Sequence, residues 1–251
     1  MNNPFNITFE NGQAALATKI DTTAELPRKL RQIGFCSPRP TLVIVGGASK
    51  MSEESLKRLE SLFTEVLAPV AENLGAIVLD GGTDAGVMQM IGKARTQIHG
   101  TFPLVGIAPV GKVLLPDLKF SSSGEIELEP NHTHFLLIPG SNWGDESPWI
   151  SQVATTLAGH APSLTVLANG GEVSLVDVSE SIKAERPLVI LAGSGRLADE
   201  ITRVVRYPEK QARERLCELL QDSQLTLFDL TQPLAELTEI IRERLKAKKL
   251  V

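Results

Sequence analysis

Six times along this chain a short, largely apolar run stops on glycine. The runs cover residues 41–45, 77–79, 104–109, 133–138, 164–167 and 188–191. The glycines are Gly46 with Gly47, Gly81 with Gly82, Gly111, Gly140, Gly170 with Gly171, and Gly193 with Gly195. Short runs without polar alternation read as strands buried on both faces. With segments of helical spacing between them, such strands lie parallel and helices cover the sheet on both sides. The expected fold class is therefore α/β, a doubly wound, mainly parallel sheet. The carboxyl ends of its strands share one rim, where ligands bind. The glycine loops converge there, so one pattern constrains both fold and function.

The remaining segments fit this frame. Residues 5–20 predict a β-hairpin, with Ile7-Thr8-Phe9 and Ala15-Leu16-Ala17 flanking a two-residue Asn11-Gly12 turn. Residues 24–33 predict a short helix with Pro27 in its first turn and Gly34 as its stop. Ser52 is a good N-cap for a helix that runs to about residue 74, kinks at Pro69 and closes on Gly75. Further helices are expected over about 84–98, 146–158, 173–184 and 196–206, the last resuming beyond Pro208 to residue 220. A strand over 225–228 and a helix from about Pro233 end the chain. Residues 111–131, with Ser121-Ser122-Ser123-Gly124 at their middle, hold no clear helix and read as a lid or as a surface insertion. Residues 1–38 are thus expected to pack, as hairpin and helix, on a main Rossmann-like domain of residues 39–251.

The chain has 251 residues and a formal charge of −5. That acidic balance argues against a nucleic-acid partner, which selects for a basic face. Cys36 and Cys217 are too far apart in sequence for a disulfide framework or a Cys-based zinc motif. The first residues lack the charged and apolar blocks of a signal peptide. No apolar run approaches the roughly 18 residues of a bilayer span. These features predict a soluble, cytoplasmic protein without membrane insertion.

The residues with chemistry to offer sit in the same loops. Gly81, Gly82, Thr83 and Gly86 lead from a strand into a helix. Glycine lets backbone approach a ligand closely, and a helix start offers unpaired N–H groups, a combination that suits phosphate. Tight strand–helix packing is the alternative. Asp84 would repel phosphate and reads as a helix cap. Gly193, Ser194 and Gly195 form a second such junction, followed by Arg196, which can pair with phosphate oxygens or be held by Asp199. Gly46 and Gly47 with Ser49, and Asn169 with Gly170 and Gly171, read as further backbone donors or as plain turns. Asn131, His132 and His134 enter the fourth run beside the rim. Two residues apart on a strand, the histidines are expected to share a face. No third ligand lies near them in sequence, so they read as hydrogen-bonding groups for loop or ligand, and no metal site is expected.

Three stretches then carry a family resemblance: Gly81-Gly82-Thr83-Asp84-Ala85-Gly86-Val87-Met88, Pro130-Asn131-His132-Thr133-His134-Phe135-Leu136-Leu137 and Gly193-Ser194-Gly195-Arg196-Leu197-Ala198-Asp199. With Gly106-Ile107-Ala108-Pro109 between them, they resemble the cytoplasmic N-terminal homology region of melastatin-type TRP channels. The resemblance covers about residues 41–205 and is most specific in Asn131-His132-Thr133-His134-Phe135. That region belongs to the Rossmann-like SLOG superfamily, with the lonely-guy phosphoribohydrolases and the DNA-processing protein A family. The chain resembles a free-standing prokaryotic form of the module. The resemblance implies a nucleotide-derived small-molecule partner, ADP-ribose or an NAD relative, and no required cofactor.

Pro139-Gly140-Ser141-Asn142-Trp143-Gly144-Asp145-Glu146 stands where the phosphoribohydrolases carry Pro-Gly-Gly-x-Gly-Thr-x-x-Glu. Pro139, Gly140 and Glu146 fit that pattern. Ser141 replaces a glycine, the spacing differs and the threonine is absent, which argues against base–ribose hydrolysis. If chemistry occurs, Glu146 or Asp145 is the carboxylate that stabilises a ribosyl cation or activates water. Otherwise the two acids suit the dipole of a helix start. Trp143 and Trp149 read as stacking or packing residues. The expected function is a binding or sensor domain whose ligand phosphates lie on the glycine loops, read out by an effector protein or a second subunit. The alternatives are a nucleotide N-glycosidase using Glu146 and a scaffold without ligand.

Overall fold

The computed structural model describes residues 3–115, 125–207, 214–221 and 223–246. The chain opens on the expected hairpin, β1 (Phe5–Thr8) antiparallel to β2 (Ala14–Lys19). Its turn is longer than the expected two residues. The Phe9 N–H donates to the Gln13 carbonyl at 2.9 Å, and Gly12 sits at φ +81°. Three residues therefore make the connection, with glycine in the left-handed position that such loops require. After it come a 3-10 turn, Thr23–Glu25, and α1 (Leu26–Gln32), stopped by Gly34 at φ +99°.

The doubly wound part begins with β3 (Thr41–Gly46), α2 (Glu53–Leu62), α3 (Ala68–Leu74) and β4 (Ile77–Asp80). Ser52 caps α2, its Oγ accepting the Ser55 N–H at 3.1 Å. Pro69 has no N–H, and its ring would clash with the carbonyl four residues back. The chain accommodates this with a π-helical turn over Phe63–Leu67 between α2 and α3. There follow α4 (Gly86–Gln97), β5 (Leu104–Pro109), β6 (Val113–Leu114), β7 (Ile126–Glu127), β8 (His134–Ile138) and α5 (Ser147–Ala158). The last third holds β9 (Ser163–Ala168), α6 (Glu172–Lys183), β10 (Leu188–Ala192), α7 (Arg196–Arg206), α8 (Glu214–Leu220), β11 (Leu225–Asp229) and α9 (Leu234–Leu245). Within the segment expected to lack helix, β6 and β7 pair parallel, and residues 121–124 lie outside the described residues.

Nine of these strands form one sheet in the order β1-β2-β8-β5-β4-β3-β9-β10-β11, parallel throughout except for β1 with β2. β2 pairs directly with β8, so the hairpin is the edge of the main sheet. From β3 the chain steps through β4 and β5 to one side. After β8 it crosses back through α5 and continues on the other side of β3. The order reverses between β3 and β9, where the loops at the carboxyl ends part and leave a crevice.

Both sheet faces are dry, which explains the absence of polar alternation in the sequence. Leu42, Ile44, Val78, Leu104, Val166 and Val189 pack on one side with Leu59, Phe63, Ile91 and Leu237 from the helices. Val43, Val45, Leu79, Val105, Ile107 and Ile190 pack on the other with Leu30, Ile150, Val153 and Ile201. Among the described residues no helix is long and apolar enough to cross a membrane.

Candidate functional site

The loops after β3 and β4 and three helix starts meet at the crevice and enclose a cavity of about 660 Å³. Its wall is made by Gly46, Gly47, Ala48 and Ser49 after β3, by Gly81, Thr83, Ala85, Gly86 and Met88 after β4, and by Ile126, Trp143, Glu146, Ile150, Val173, Ser174, Asp177 and Arg196. The helices α4, α6 and α7 begin here on Ala85, Gly171 and Gly195, and none of these N-cap residues accepts a helix N–H with a side chain. The helices have 12, 12 and 11 residues. The starts of α4 and α6 present N–H groups and a partial positive charge, the elements of an anion site, whereas at α7 the Leu197 and Ala198 N–H groups donate to the Gly170 and Asn169 carbonyls and only the dipole remains.

Glycine is needed at these junctions for two different reasons. Gly46, at φ +128°, faces Ala168 across the β3–β9 ladder, and a Cβ would run into the Ala168 carbonyl. Gly82, at φ +68°, would bring a Cβ to 2.8 Å from Gly106 Cα and 3.0 Å from the Phe135 ring, and it does not line the cavity. These two positions serve the close approach of one piece of backbone to another. Gly81 and Gly47 differ. A Cβ on Gly81 would meet nothing within 4 Å, and one on Gly47 only the Asn169 Oδ1 at 4.0 Å. Both line the cavity, so the space saved there is cavity space.

Asn169, Gly170, Ser194 and Gly195 stand just behind this wall. Asn169 is buried at φ +56°, and its Nδ2 donates to the carbonyls of Ser194 at 2.7 Å and Ser49 at 3.1 Å. Its Oδ1 accepts the Gly170 N–H at 2.9 Å, while its own N–H donates to Ser194 Oγ at 2.7 Å. One side chain thus ties the loops after β3, β9 and β10 together, with both Nδ2 hydrogens used within the protein and the residue fully buried. Arg196 does line the cavity, with Nη1 donating to Ser49 Oγ at 2.9 Å. Asp199 does not hold Arg196; it accepts the Gly193 N–H at 2.7 Å and fixes the turn instead. Asp84 does not cap α4 either, because its Oδ1 accepts from Gln89 Nε2 at 2.9 Å and the helix starts only at Gly86.

The two histidines part company. The strand begins at His134, so the two-residue alternation does not extend back to His132. His134 packs on Phe35, ring centroids 4.8 Å apart, whereas His132 stacks on Phe135 at 5.3 Å among the residues of the opposite face. His132 lies buried between two carboxylates, Nε2 at 2.8 Å from Asp80 Oδ1 and Nδ1 at 2.7 Å from Glu129 Oε2. Burial alone would lower its pKa, but Asp80 and Glu129 outweigh burial and raise it to about 9. Asp80 Oδ1 also accepts the Gly82 N–H at 2.7 Å, and Asn131 donates to Glu129 through both its backbone and its side chain. Asn131, His132, Asp80 and Glu129 therefore form a buried ionic cluster that fixes the Gly81-Gly82 loop from below. Both ring nitrogens are engaged by these carboxylates, so neither is directed at a metal.

Two acids, Glu146 and Asp177, face the cavity. Burial pushes the Glu146 carboxyl above its usual range, Asp145 adds to this, and the Gly144 N–H on Oε2 at 2.8 Å opposes it. Asp145 itself is taken up as a loop staple, accepting the N–H groups of Ser141 and Asn142 at 2.9 and 3.0 Å. Asp177 is only 9% exposed, and burial, with Glu146 adding, raises its pKa to about 7 against the nearby Ser147 hydroxyl. Neither Asp177 Oδ1 nor Ser147 Oγ makes a well-formed hydrogen bond among the described residues. Sequence reasoning missed Asp177. Its signal lies in α6, where Ser174, Asp177 and Ser181 are buried at helical spacing with Val178, while Val176 points out at 41% exposure.

Doubly wound sheet, glycine loops and helix starts around the switch-point crevice together define a Rossmann-like α/β domain. The chain belongs to the family described as SLOG in TRPM, prokaryote, which matches residues 39–238. It is 28% identical to transient receptor potential cation channel subfamily M member 2 of Mus musculus over 210 residues, covering 70% of this chain and 14% of the channel. A member-like 2 protein of the same subfamily from Nematostella vectensis is 28% identical over 220 residues, covering 72% and 14%. Member 5 from Homo sapiens is 26% identical over 227 residues, covering 71% and 19%. The chain spans less than a fifth of the length of these relatives.

Proposed function

We propose that this domain is a cytoplasmic sensor for a nucleotide-derived ligand, an ADP-ribose or NAD relative, whose phosphates lie against the starts of α4 and α6 beside Arg196. One observation carries this reading: α4 and α6 begin at one cavity with first-turn N–H groups that no N-cap side chain accepts, and α7 adds Arg196 at the same place. Arg196 at the rim adds a guanidinium suited to phosphate oxygens. Gly47 and Gly81 leave room for the ligand to approach the backbone. The resemblance to the melastatin-type homology region implies the same ligand class. The cavity joins loops from the two halves of the sheet, so a diphosphate held by both would favour their closed arrangement, and an effector or a second copy of the chain would read the change.

A ligand bound to the folded state raises its melting temperature with concentration. Thermal unfolding against ADP-ribose, cyclic ADP-ribose, NAD, AMP and ATP, with chromatography of each ligand afterwards, tests the proposal. A concentration-dependent shift with intact ligand recovered is the expected result. The absence of a shift with every one of them refutes it.

The raised carboxyls facing the cavity favour a second reading, an N-glycosidase in which Glu146 stabilises a ribosyl cation or activates water. In that case the chromatography finds cleaved ligand, and Glu146→Gln abolishes cleavage while binding persists.

A further inference from the structure

The cavity is electrostatically two-sided. Its loop side presents helix starts and Arg196. Its inner side presents Asp177 and Glu146. Once ionised, two carboxyls repel a phosphate, so the group that occupies the inner side then must bring hydrogen-bond donors.

Asp177 makes this requirement strict. It is nine-tenths buried, it lines the cavity, and its Oδ1 has no hydrogen-bond partner among the described residues. The ionisable neighbour that acts on it is Glu146, another acid. A buried polar atom left without a partner is unfavourable, and such atoms are rare enough to demand an occupant. Asp177 lines the cavity, so a ligand group entering the cavity comes up against this residue.

We propose that Asp177 and Glu146 form a hydroxyl-reading subsite that takes the ribose cis-diol of the ligand whose phosphates lie on the glycine loops; this rests on the phosphate reading above. A ribose carries two adjacent O–H donors, and two carboxyls side by side offer matching acceptors. The base has a different place to go. Trp143 and Ile126, 37% and 36% exposed, supply apolar surface on the cavity wall for a ring. A primary amine would also satisfy carboxyls, but it lacks the phosphate for which the loop side is built.

The test is calorimetric titration of the protein with inorganic diphosphate, ADP, 2′-deoxy-ADP and 3′-deoxy-ADP, repeated on Asp177→Ala and Asp177→Asn after circular dichroism has verified their folding. A site that binds a hydroxyl rejects the analogue lacking it, because its own polar group is left unpaired. ADP is expected to bind at least about tenfold more tightly than one or both deoxy forms. That preference should vanish in Asp177→Ala and partly return in Asp177→Asn, with diphosphate binding unchanged by either. Equal binding of the three nucleotides, or a preference that survives Asp177→Ala, overturns the subsite while leaving the phosphate reading intact. If neither diphosphate nor ADP binds, the phosphate reading fails and the subsite falls with it. Binding of spermidine in place of the nucleotides also overturns it, and makes the inner side a cation site.

Discussion

Replacing Asp177 with asparagine should stabilise the protein at alkaline pH, although it removes a group assigned to the site. The folded state holds this carboxyl at about 7 against an ordinary value of 3.8, so between these values the native protein binds the extra proton. The sign follows from linkage. The stability tied to this proton is fully present below about pH 4 and is lost as pH rises through 7. At 1.36 kcal/mol for each tenfold change in proton affinity, the loss is about 4 kcal/mol. Asparagine is nearly isosteric and does not ionise, so it escapes this loss, but it leaves amide groups imperfectly paired at about 1 to 2 kcal/mol. The net expectation at pH 8 is a variant about 2 to 3 kcal/mol more stable than wild type, an advantage that shrinks and reverses near pH 4. Urea unfolding followed by far-UV circular dichroism at pH 4.5, 6, 7 and 8 measures it, with the extrapolated stabilities compared pairwise. His132 titrates in both proteins and cancels in the difference. Parallel stability curves for the two proteins across this range would refute the reasoning, because Asp177 would then titrate alike folded and unfolded.

Three further outcomes follow from the same geometry. Gly81→Val puts its side chain into the cavity and should leave stability within about 0.5 kcal/mol while abolishing any shift by ADP-ribose, whereas Gly82→Val collides with Gly106 and strains a positive φ, losing about 3 kcal/mol or more in urea. His132, raised to about 9 by its two carboxylates, contributes stability that is full below about pH 6.5 and lost as pH rises through 9, about 3 kcal/mol in all, and Gln in its place, which does not ionise, should remove that slope from the pH–stability curve. Asn169→Ala should cost about 3 kcal/mol through the Ser49 and Ser194 carbonyls and the Gly170 N–H it strands, with loss of binding as the loops separate, read by calorimetry and urea melts together.

The fold was legible because a sheet dry on both faces writes itself into sequence as apolar runs, and every parallel junction needs a stop. Gly46, Gly82 and Gly86 mark such stops at positive φ. What the sequence hid were effects that depend on a partner far along the chain. The hairpin could be seen, but its parallel pairing with β8 could not, since Leu16 and His134 are joined only by the register of the finished sheet. Pro69 announced a break, and whether it became a kink or a π turn depended on how the flanking helix packs.

The site divides along the same line. Its loops were readable as loops, because glycine reports local backbone geometry. Which glycines face a ligand was not readable: Gly81 and Gly82 are neighbours, and only the position of Gly106 tells that one faces cavity and the other protein. His132 and Asn131 carry the most specific motif in the chain, yet they act from beneath the loop, through Asp80 and Glu129. Asp177 shows the opposite case. It belongs to no motif, and it looks like an ordinary polar position on a helix until α6 is seen to turn it inward while Val176 faces water. A helix oriented by packing alone would bury the valine and expose the acid. The orientation found here is supported by Ser181, whose Oγ meets Thr165 Oγ1 at 2.9 Å, and by Val178 in the core. Asp177 is carried inward on that same stripe beside Ser147, and its Oδ1 makes no well-formed hydrogen bond among the described residues, so a ligand that donates one to it would add to the stability of the folded state.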